Sequence, residues 1–468
     1  MKFYDAVVIG GGVLGCFTAR NLRRWNISVL LIEAAEDVCT GITRSNTAIV
    51  YSGCDNKPNS LKACMTVQAN AEFEVLCQEL EVPFKRCGSL MVSGGPKGNA
   101  VLQKKLEQGQ FNGVPGLRIL STAEALELEP ALTKEIHSAL YVPSTGTVNP
   151  WQFGIAAFEN AIYNDCVVSL HNRVLAIQKY AGGYVIETEQ GSVRCRVLCN
   201  CAGLQAAQVQ EMLFPPSVRI VPDAGDYLVL DKSVIGPKHI IFHEPEESGK
   251  GLTAVPTVEG SLLLGPTKRP CAEEYAAVER NELESLQKLT QKILPDVDLK
   301  LQIRSFAAVR PNPQHVIEKN GQYLPDGRSI NSFVIEEPAL GFYSLIGIKT
   351  PGLTCADQLG AYLARKAADY LHADKNMRFV SKRMAIKQAR QLEYKARAAL
   401  VAQAPDYGEI ICHCEDVTRA EVLAAIDRGA VDINGVKRRV GAGLGRCQGG
   451  RCRLAVEALL KEAGHEGL

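Results

Sequence analysis

Apolar positions in this chain gather first into a short run, Ala6-Val7-Val8-Ile9, then space themselves at helical intervals from Cys16 to Trp25, then gather again from Ser28 to Ile32. A short apolar run bounded by glycine reads as a buried strand and a longer stretch at period 3.6 as a helix, so the opening predicts strand, helix, strand. The same reasoning predicts a helix over 62–80, a strand over 84–92, polar helical structure over 97–132, a strand and turn over 141–148 and a helix over 150–163. Ser121 and Glu124 have the spacing of a capping box. Short strands follow at 167–170, 172–179, 183–188 and 191–200, and strands alternate with turns from 218 to 267. A helix over 273–294, a strand over 299–309, a strand pair at 333–336 and 342–346 and a helix over 355–371 complete the main body. The basic stretch 374–397 predicts a linker with a solvated helix face, leading to a small last domain. Strands and helices in alternation place the chain in the α/β class.

The turn after the first strand reads Gly10-Gly11-Gly12-Val13-Leu14-Gly15, and the second strand ends at Glu33. In a G-x-G-x-x-G turn Gly10 permits the tight bend, Gly12 lets a pyrophosphate approach the backbone and Gly15 lets the helix pack on the strand. The helix N-terminus offers N–H groups and a positive dipole end to the phosphates, while Glu33 can accept from a ribose 2′-hydroxyl. A dinucleotide is therefore expected, with NAD and FAD equally compatible. Loop 39–53 carries small and hydroxyl residues beside Arg44, which suits closure over a pyrophosphate or a plain surface loop. Val197 to Gly203 forms a second strand-to-helix turn on small residues, and Gly347 to Thr354 opens the helix over 355–371.

Composition narrows the partners. With 468 residues, 46% apolar and 22% charged, the chain predicts a globular protein of two or three domains. Fifty-two basic against fifty-one acidic residues leave a net charge of +1, which offers no overall attraction for nucleic acid or an anionic membrane. No apolar run reaches the roughly 20 residues of a membrane span, and the first strand starts too early for a signal peptide, so a cytoplasmic chain is expected. Of sixteen cysteines, twelve are scattered through predicted strands and helices as small buried hydrophobes. The other four form Cys412-His413-Cys414, then thirty-two residues, then Cys447-Gln448-Gly449-Gly450-Arg451-Cys452. Two close thiol pairs can hold a structural zinc or an iron–sulfur cluster. The tight Cys-x-Cys and the alternating glycines favour [2Fe–2S] over zinc, and a reducing compartment disfavours disulfides.

This spacing and the phrase Gly445-Arg446-Cys447-Gln448-Gly449 resemble the bacterioferritin-associated-ferredoxin-like [2Fe–2S] domain. The resemblance implies Cys412, Cys414, Cys447 and Cys452 as ligands and His413 as their neighbour. A one-electron centre would be idle beside a pure hydride carrier, whereas a flavin accepts electrons in pairs and releases them singly, which selects FAD for the N-terminal site.

Residues 1–370 are similar to the FAD-dependent glycine/D-amino-acid oxidase superfamily. Within it they resemble the group of the anaerobic glycerol-3-phosphate dehydrogenase large subunit and L-2-hydroxyglutarate oxidase. The likeness rests on Gly10-x-Gly12-x-x-Gly15 with Glu33, Arg44-Ser45-Asn46, Lys57-Pro58-x-Ser60-Leu61-Lys62-Ala63 and Asn200-Cys201-Ala202-Gly203. It continues through Gly225-Asp226-Tyr227-Leu228, Gly265-Pro266-Thr267, Arg310-Pro311 and Gly347-Ile348-x-x-Pro351-Gly352-Leu353-Thr354. The resemblance implies a Rossmann-like FAD-binding domain in three segments, 1–80, 145–220 and 310–371, with an antiparallel β-rich substrate domain over 81–144 and 221–309. A linker over 372–408 and a small helical [2Fe–2S] domain over 409–468 complete the expected fold.

The resemblance also assigns roles. Gly10, Gly12, Gly15 and Glu33 would bind the ADP half, Arg44, Ser45 and Asn46 the pyrophosphate and flavin edge, and Val174 the adenine through its backbone. Gly203 would line the dinucleotide, and Gly352, Leu353 and Thr354 would present N–H groups to the flavin pyrimidine ring. Arg310 would bind a substrate carboxylate or phosphate, with a structural ion pair as the other reading, and Lys349 would face flavin or substrate or stand at the surface. Tyr51 occupies the place where relatives carry a histidine able to act as base, and Ala224 stands where they often carry a basic residue. The implied activity is oxidation of a small anionic hydroxy metabolite, glycerol 3-phosphate or a 2-hydroxy acid, with electrons leaving through the cluster. The acceptor would be a partner protein or quinone pool, within a multi-subunit dehydrogenase held at the membrane through that partner. An amino-acid or opine-type amine dehydrogenase, and a non-catalytic electron-transfer subunit, are the alternatives.

Overall fold

The computed structural model describes residues 1–243, 251–272 and 275–465. Strand β1 (Lys2–Ile9), helix α1 (Val13–Leu22) and strand β2 (Val29–Ile32) form where the opening pattern predicts them. β1 pairs in parallel with β2 on one side and with Gly191–Asn200 on the other, and β2 continues in parallel to Val167–Ser169. Phe342–Ile346 joins in parallel beside Gly191–Asn200, and an antiparallel meander from Val174 to Asn200 builds the far edge of this eight-stranded sheet. The central strands are buried on both faces, which is why they read as unbroken apolar runs. α1 packs against the helices Pro150–Tyr163 and Ala356–Leu371. The Phe17 and Phe153 ring centroids are 4.5 Å apart, and a Cβ on Gly360 would come within 2.7 Å of the Phe17 carbonyl carbon.

A second, nine-stranded and mostly antiparallel sheet draws its strands from Ser89–Val142 and Asp223–Arg310. Its long pair sets Asp223–Leu230 against Gln302–Arg310 and brings Asp223 opposite Arg310. The C-terminal domain is small and helical: Arg419–Asp427, Ile433–Val440 and Arg453–Glu462 enclose Val422, Ile426, Val436 and Leu460. Among the described residues no helix is long and apolar enough to cross a membrane.

Five stretches differ from expectation. The predicted strand over 84–92 is two strands in different sheets, Phe84–Lys85 and Ser89–Ser93, separated by Gly88 at φ +71°. The polar region 97–132 contains a strand, Arg118–Ser121, between the helices Pro96–Phe111 and Thr122–Leu128; Ser121 and Glu124 form the expected capping box. The helix expected from 273 runs from Arg280 to Ile293, residues 273 and 274 lying outside the described ones. The hairpin Pro313–Lys319 and Gln322–Ser329 carries no apolar alternation because its second strand is largely exposed, so periodicity could not mark it. The basic stretch after 373 carries no α-helix until Tyr394, only a 3₁₀ turn at Ala389–Gln391. Its backbone is held by the main body: Asn376 and Arg383 donate to the carbonyls of Arg24 and Glu79, and Asn160 Nδ2 donates to those of Val380, Ser381 and Lys382.

Arg20, fully buried on α1, ties these layers together. Its guanidinium donates to Asn160 Oδ1 at 3.0 Å, Asp357 Oδ1 at 3.3 Å, Glu79 Oε2 at 3.4 Å and the Ser381 carbonyl at 3.3 Å. Burial lowers its pKa, and the neighbouring carboxylates keep it charged. Arg20→Met should leave those carboxylates without their cation and cost about 3 kcal/mol, read as a fall in the urea midpoint at unchanged slope.

Candidate functional site

The dinucleotide turn is shaped by backbone proximity. Gly10 sits at φ +101°, and a Cβ there would lie 2.6 Å from the Cys201 carbonyl oxygen. At Gly15 a Cβ would lie 1.8 Å from the Gly10 carbonyl oxygen, which forces glycine where helix meets strand. Gly12 differs, since a Cβ would meet only Thr43 Oγ1 at 3.5 Å and its outer side is open. α1 starts at Gly12 without a side-chain cap, Val13 N–H donating instead to Thr43 Oγ1 across the cleft at 3.0 Å. The Glu33 carboxylate accepts from the N–H groups of Gly11 and Ala35. Asn172 N–H donates to the Glu33 carbonyl, which brings Val174 to the same end of the sheet. Gly203 sits at φ +61°, and a Cβ there would meet Ile42 Cδ1 at 3.7 Å, an ordinary contact. These residues enclose an open cleft beside a helix N-terminus and fit the ADP half of a dinucleotide.

Arg44 is exposed at the end of the 3₁₀ turn Ile42–Arg44, where its carbonyl accepts from Trp151 Nε1, and Ser45 follows it half-buried. Asn46 spends its amide on the loop itself, donating to the Thr43 carbonyl and accepting from Ala48 N–H, both at 2.8 Å. Across the cleft Gly352 N–H is taken by the Lys349 carbonyl at 2.7 Å. Thr354 Oγ1 accepts from Tyr51 N–H at 3.0 Å, and the helix begins only at Ala356. Of the three N–H groups expected to face a flavin, that of Gly352 is therefore engaged within its own turn.

Arg310, half-buried, donates through Nε to Asp223 and through Nη2 to the carbonyls of Ala224 and Thr267 at 3.1 and 3.3 Å. Its two Nη1 protons have no acceptor among the described residues. Lys349 Nζ donates to Asn312 Oδ1 at 2.6 Å and Ser329 Oγ at 2.7 Å, so the hairpin that sequence reading missed supports it. Burial lowers the Lys349 pKa, and Lys62, Lys268 and Arg310 add to the effect against the opposing charge of Asp223. Lys62 is itself buried, near Asn331 Oδ1 at 3.4 Å. The result is a group of cations, Lys62, Lys268 and Arg310, within the field of Lys349, with Asp223 as the opposing charge. A lysine on the buried face of the helix Leu61–Glu79 was the available signal for Lys62.

Tyr51 lies within the field of Arg310, and burial pushes its hydroxyl up to about 12 against a lesser pull from Thr47. It also borders a cavity of about 220 Å³ with Phe242, Met91, Lys105 and Thr253, which neither Arg310 nor Lys349 lines.

The C-terminal thiols stand as two pairs. Cys414 shares a hydrogen bond with Cys447, and Cys452 with Cys412. The N–H of Arg451 leads in lowering the Cys447 pKa, against burial and with help from Cys414, Gly449 and Gly450. Among the described residues no three His, Cys, Asp or Glu groups converge as ligands of one ion. Two thiol pairs, with backbone N–H groups aimed at sulfur, suit two bridged irons better than a single zinc.

Comparison with known proteins agrees with this geometry. Residues 5–366 match the FAD dependent oxidoreductase family and residues 410–462 the BFD-like [2Fe-2S] binding domain. A glycerol 3-phosphate dehydrogenase of Caloramator mitchellensis is 37% identical over 99% of this chain and 95% of its own length. The human mitochondrial L-2-hydroxyglutarate dehydrogenase is 31% identical over 56% of this chain and 60% of its own. Among solved structures, the dithionite-reduced L-α-glycerophosphate oxidase of Mycoplasma pneumoniae with FAD bound shares the fold. Its TM-score is 0.73 at 22% identity, over 82% of this chain and 99% of that one. The chain belongs to the FAD-dependent oxidoreductase family and carries a C-terminal BFD-like [2Fe–2S] binding domain.

Proposed function

We propose that this FAD-dependent dehydrogenase oxidises a small anionic hydroxy metabolite, with glycerol 3-phosphate as its first candidate, and passes the electrons out through the cluster. The observation that carries the reading is the cation group of Arg310, Lys62 and Lys268 around Lys349, supported by the near full-length likeness to a glycerol 3-phosphate dehydrogenase. Arg310, oriented by Asp223, offers its Nη1 hydrogens to phosphate or carboxylate oxygens as charge-assisted donors, and Lys62 and Lys268 neutralise the rest of the charge. Lys349, depressed by burial and by its cationic neighbours, accepts the hydroxyl proton, while Asn312 and Ser329 fix its amine. Bound FAD supplies the two-electron acceptor and the cluster a one-electron outlet. Gly10, Gly12, Gly15 and Glu33 hold the ADP half, Arg44 and Ser45 close over the pyrophosphate, and Leu353 and Thr354 face the flavin. Cys412, Cys414, Cys447 and Cys452 would hold the [2Fe–2S] cluster. The electron acceptor is a partner protein or the quinone pool.

One observation favours a second reading. A hydroxyl at about 12 makes Tyr51 no base at neutral pH, and an amine substrate that arrives deprotonated needs none there. Anaerobic titration with glycerol 3-phosphate, L-2-hydroxyglutarate and amino acids separates the two: bleaching of the flavin by amines alone removes the first reading.

Arg310→Met should lower kcat/KM for the anionic substrate by about 10- to 150-fold, the loss of about 1.5–3 kcal/mol of charged hydrogen bonding, in steady-state assays with a dye acceptor. Tyr51→Phe should leave kcat within about threefold, where loss of a working base costs about 10²–10⁴. A lysine base works when neutral, so kcat should rise with pH along a limb lying below the ordinary lysine value of 10.5. Lys349→Met should abolish that limb in a pH–rate profile.

A further inference from the structure

The [2Fe–2S] domain is fastened to the dinucleotide site by a buried charge cluster that the proposed chemistry does not use. Asp37 lies four residues beyond Glu33 and is 2% exposed. Its Oδ2 accepts from Arg438 Nη2 at 2.6 Å and Arg439 Nη1 at 2.7 Å, and its Oδ1 from Arg439 Nη2 at 2.8 Å. Burial opposes ionisation of Asp37, but the hydrogen bonds and charges of the two arginines outweigh it and hold the carboxyl below its usual range. Both arginines sit on the helix Ile433–Val440, which runs into the glycine-rich loop carrying Cys447. At the other end of the clamp, Cys39 N–H donates to the Gly11 carbonyl and Val38 packs over Gly11, so the loop abuts the dinucleotide turn while the Asp37 carboxylate faces the two arginines. Gln152 Nε2 adds a bond to the Arg439 carbonyl at 3.4 Å.

A second attachment grips the segment that carries Cys412 and Cys414. Lys232, from the nine-stranded sheet's side of the chain, donates to the carbonyl of Cys414 at 2.8 Å and pairs with Glu415. Arg390 donates to the Glu415 carbonyl at 2.7 Å. Surface ion pairs hold domains loosely, but a buried bidentate arginine–carboxylate contact has one geometry and a high cost of opening. A domain that swung between flavin and acceptor would have to expose these charges at every turnover.

We infer that Asp37, Arg438 and Arg439 are positioning residues for electron transfer: they fix the cluster domain on the FAD domain so that flavin-to-cluster transfer proceeds without domain movement, with Lys232 as the second anchor. The inference rests on the proposed flavin-to-cluster route. In balance, the substrate loses two electrons and two protons, the electrons leave the flavin one at a time through the cluster, and two equivalents of a one-electron acceptor take them up.

The test is anaerobic stopped-flow of the full-length holoenzyme with glycerol 3-phosphate, following flavin and cluster absorbance separately. Asp37→Asn should keep the wild-type rate of flavin reduction and slow cluster reduction at least tenfold. Arg439→Lys, which keeps the charge and loses the fork, should fall between. With a two-electron dye taken directly at the flavin, kcat should stay unchanged, and with a one-electron acceptor it should drop in proportion to cluster reduction. Trypsin should cut Asp37→Asn between residues 374 and 397 faster than wild type. Unchanged cluster reduction in Asp37→Asn overturns the inference. Should that variant not fold, Lys232→Ala decides alone: cluster reduction slowed by severalfold at wild-type flavin reduction supports the fixed dock, and an unchanged rate overturns it. A wild-type enzyme whose flavin glycerol 3-phosphate does not reduce refutes the substrate proposed above, and the dock is then tested with whichever metabolite bleaches the flavin.

Discussion

Everything in the catalytic body depends on how closely three pieces of backbone approach at the first turn. Gly10, Gly15 and the Cys201 carbonyl lie so near that any side chain at either glycine would drive the helix from the sheet. That contact fixes the direction of α1, and with it the place where an uncapped helix end meets an open cleft at Gly12. Gly203 and loop 41–46 form the opposite wall, and Thr43 closes it by taking the N–H of Val13. The same helix, through Arg20, orients the layer behind it.

The parts of this arrangement written locally were legible. Strand runs, the G-x-G-x-x-G turn, the Ser121 capping box and the helix at Pro150 each depend on neighbours within a few residues, and each appears where the pattern put it. The hairpin at 313–329 was illegible because an exposed strand pair has no buried face to impose alternation. The stretch after 373 was misread because its non-helical form is imposed by bonds to Arg24, Glu79 and Asn160, far away in sequence. Local charge composition says nothing about such partners.

The candidate site divides in the same way. Arg310 and Lys349 were visible as motif residues, but their setting was not. Asp223 orients the arginine, and Asn312 and Ser329 hold the lysine. The ion-pair reading of Arg310 is the one the structure shows, and because that pair uses Nε it leaves Nη1 for the ligand proposed above. Asp37 was passed over altogether, because an acidic residue in a polar loop gains meaning only when two arginines four hundred positions later bury it.

The cysteines show how environment, not residue type, decides chemistry. Burial pushes the thiols of Cys54, Cys166, Cys201 and Cys355 up to about 12, where almost no thiolate exists near neutral pH, so they pack as small hydrophobes. Cys447 departs from them, its pKa lowered by the N–H groups of Arg451, Gly449 and Gly450, donors that stabilise negative sulfur. The loop can supply them because Gly443 and Gly449 take positive φ, which turns successive peptides toward one point. A thiolate site therefore needs glycines around it as much as it needs cysteines. That requirement sets Cys447 apart from the buried thiols, and it is the same use of bare backbone against negative charge that the first turn makes for a phosphate.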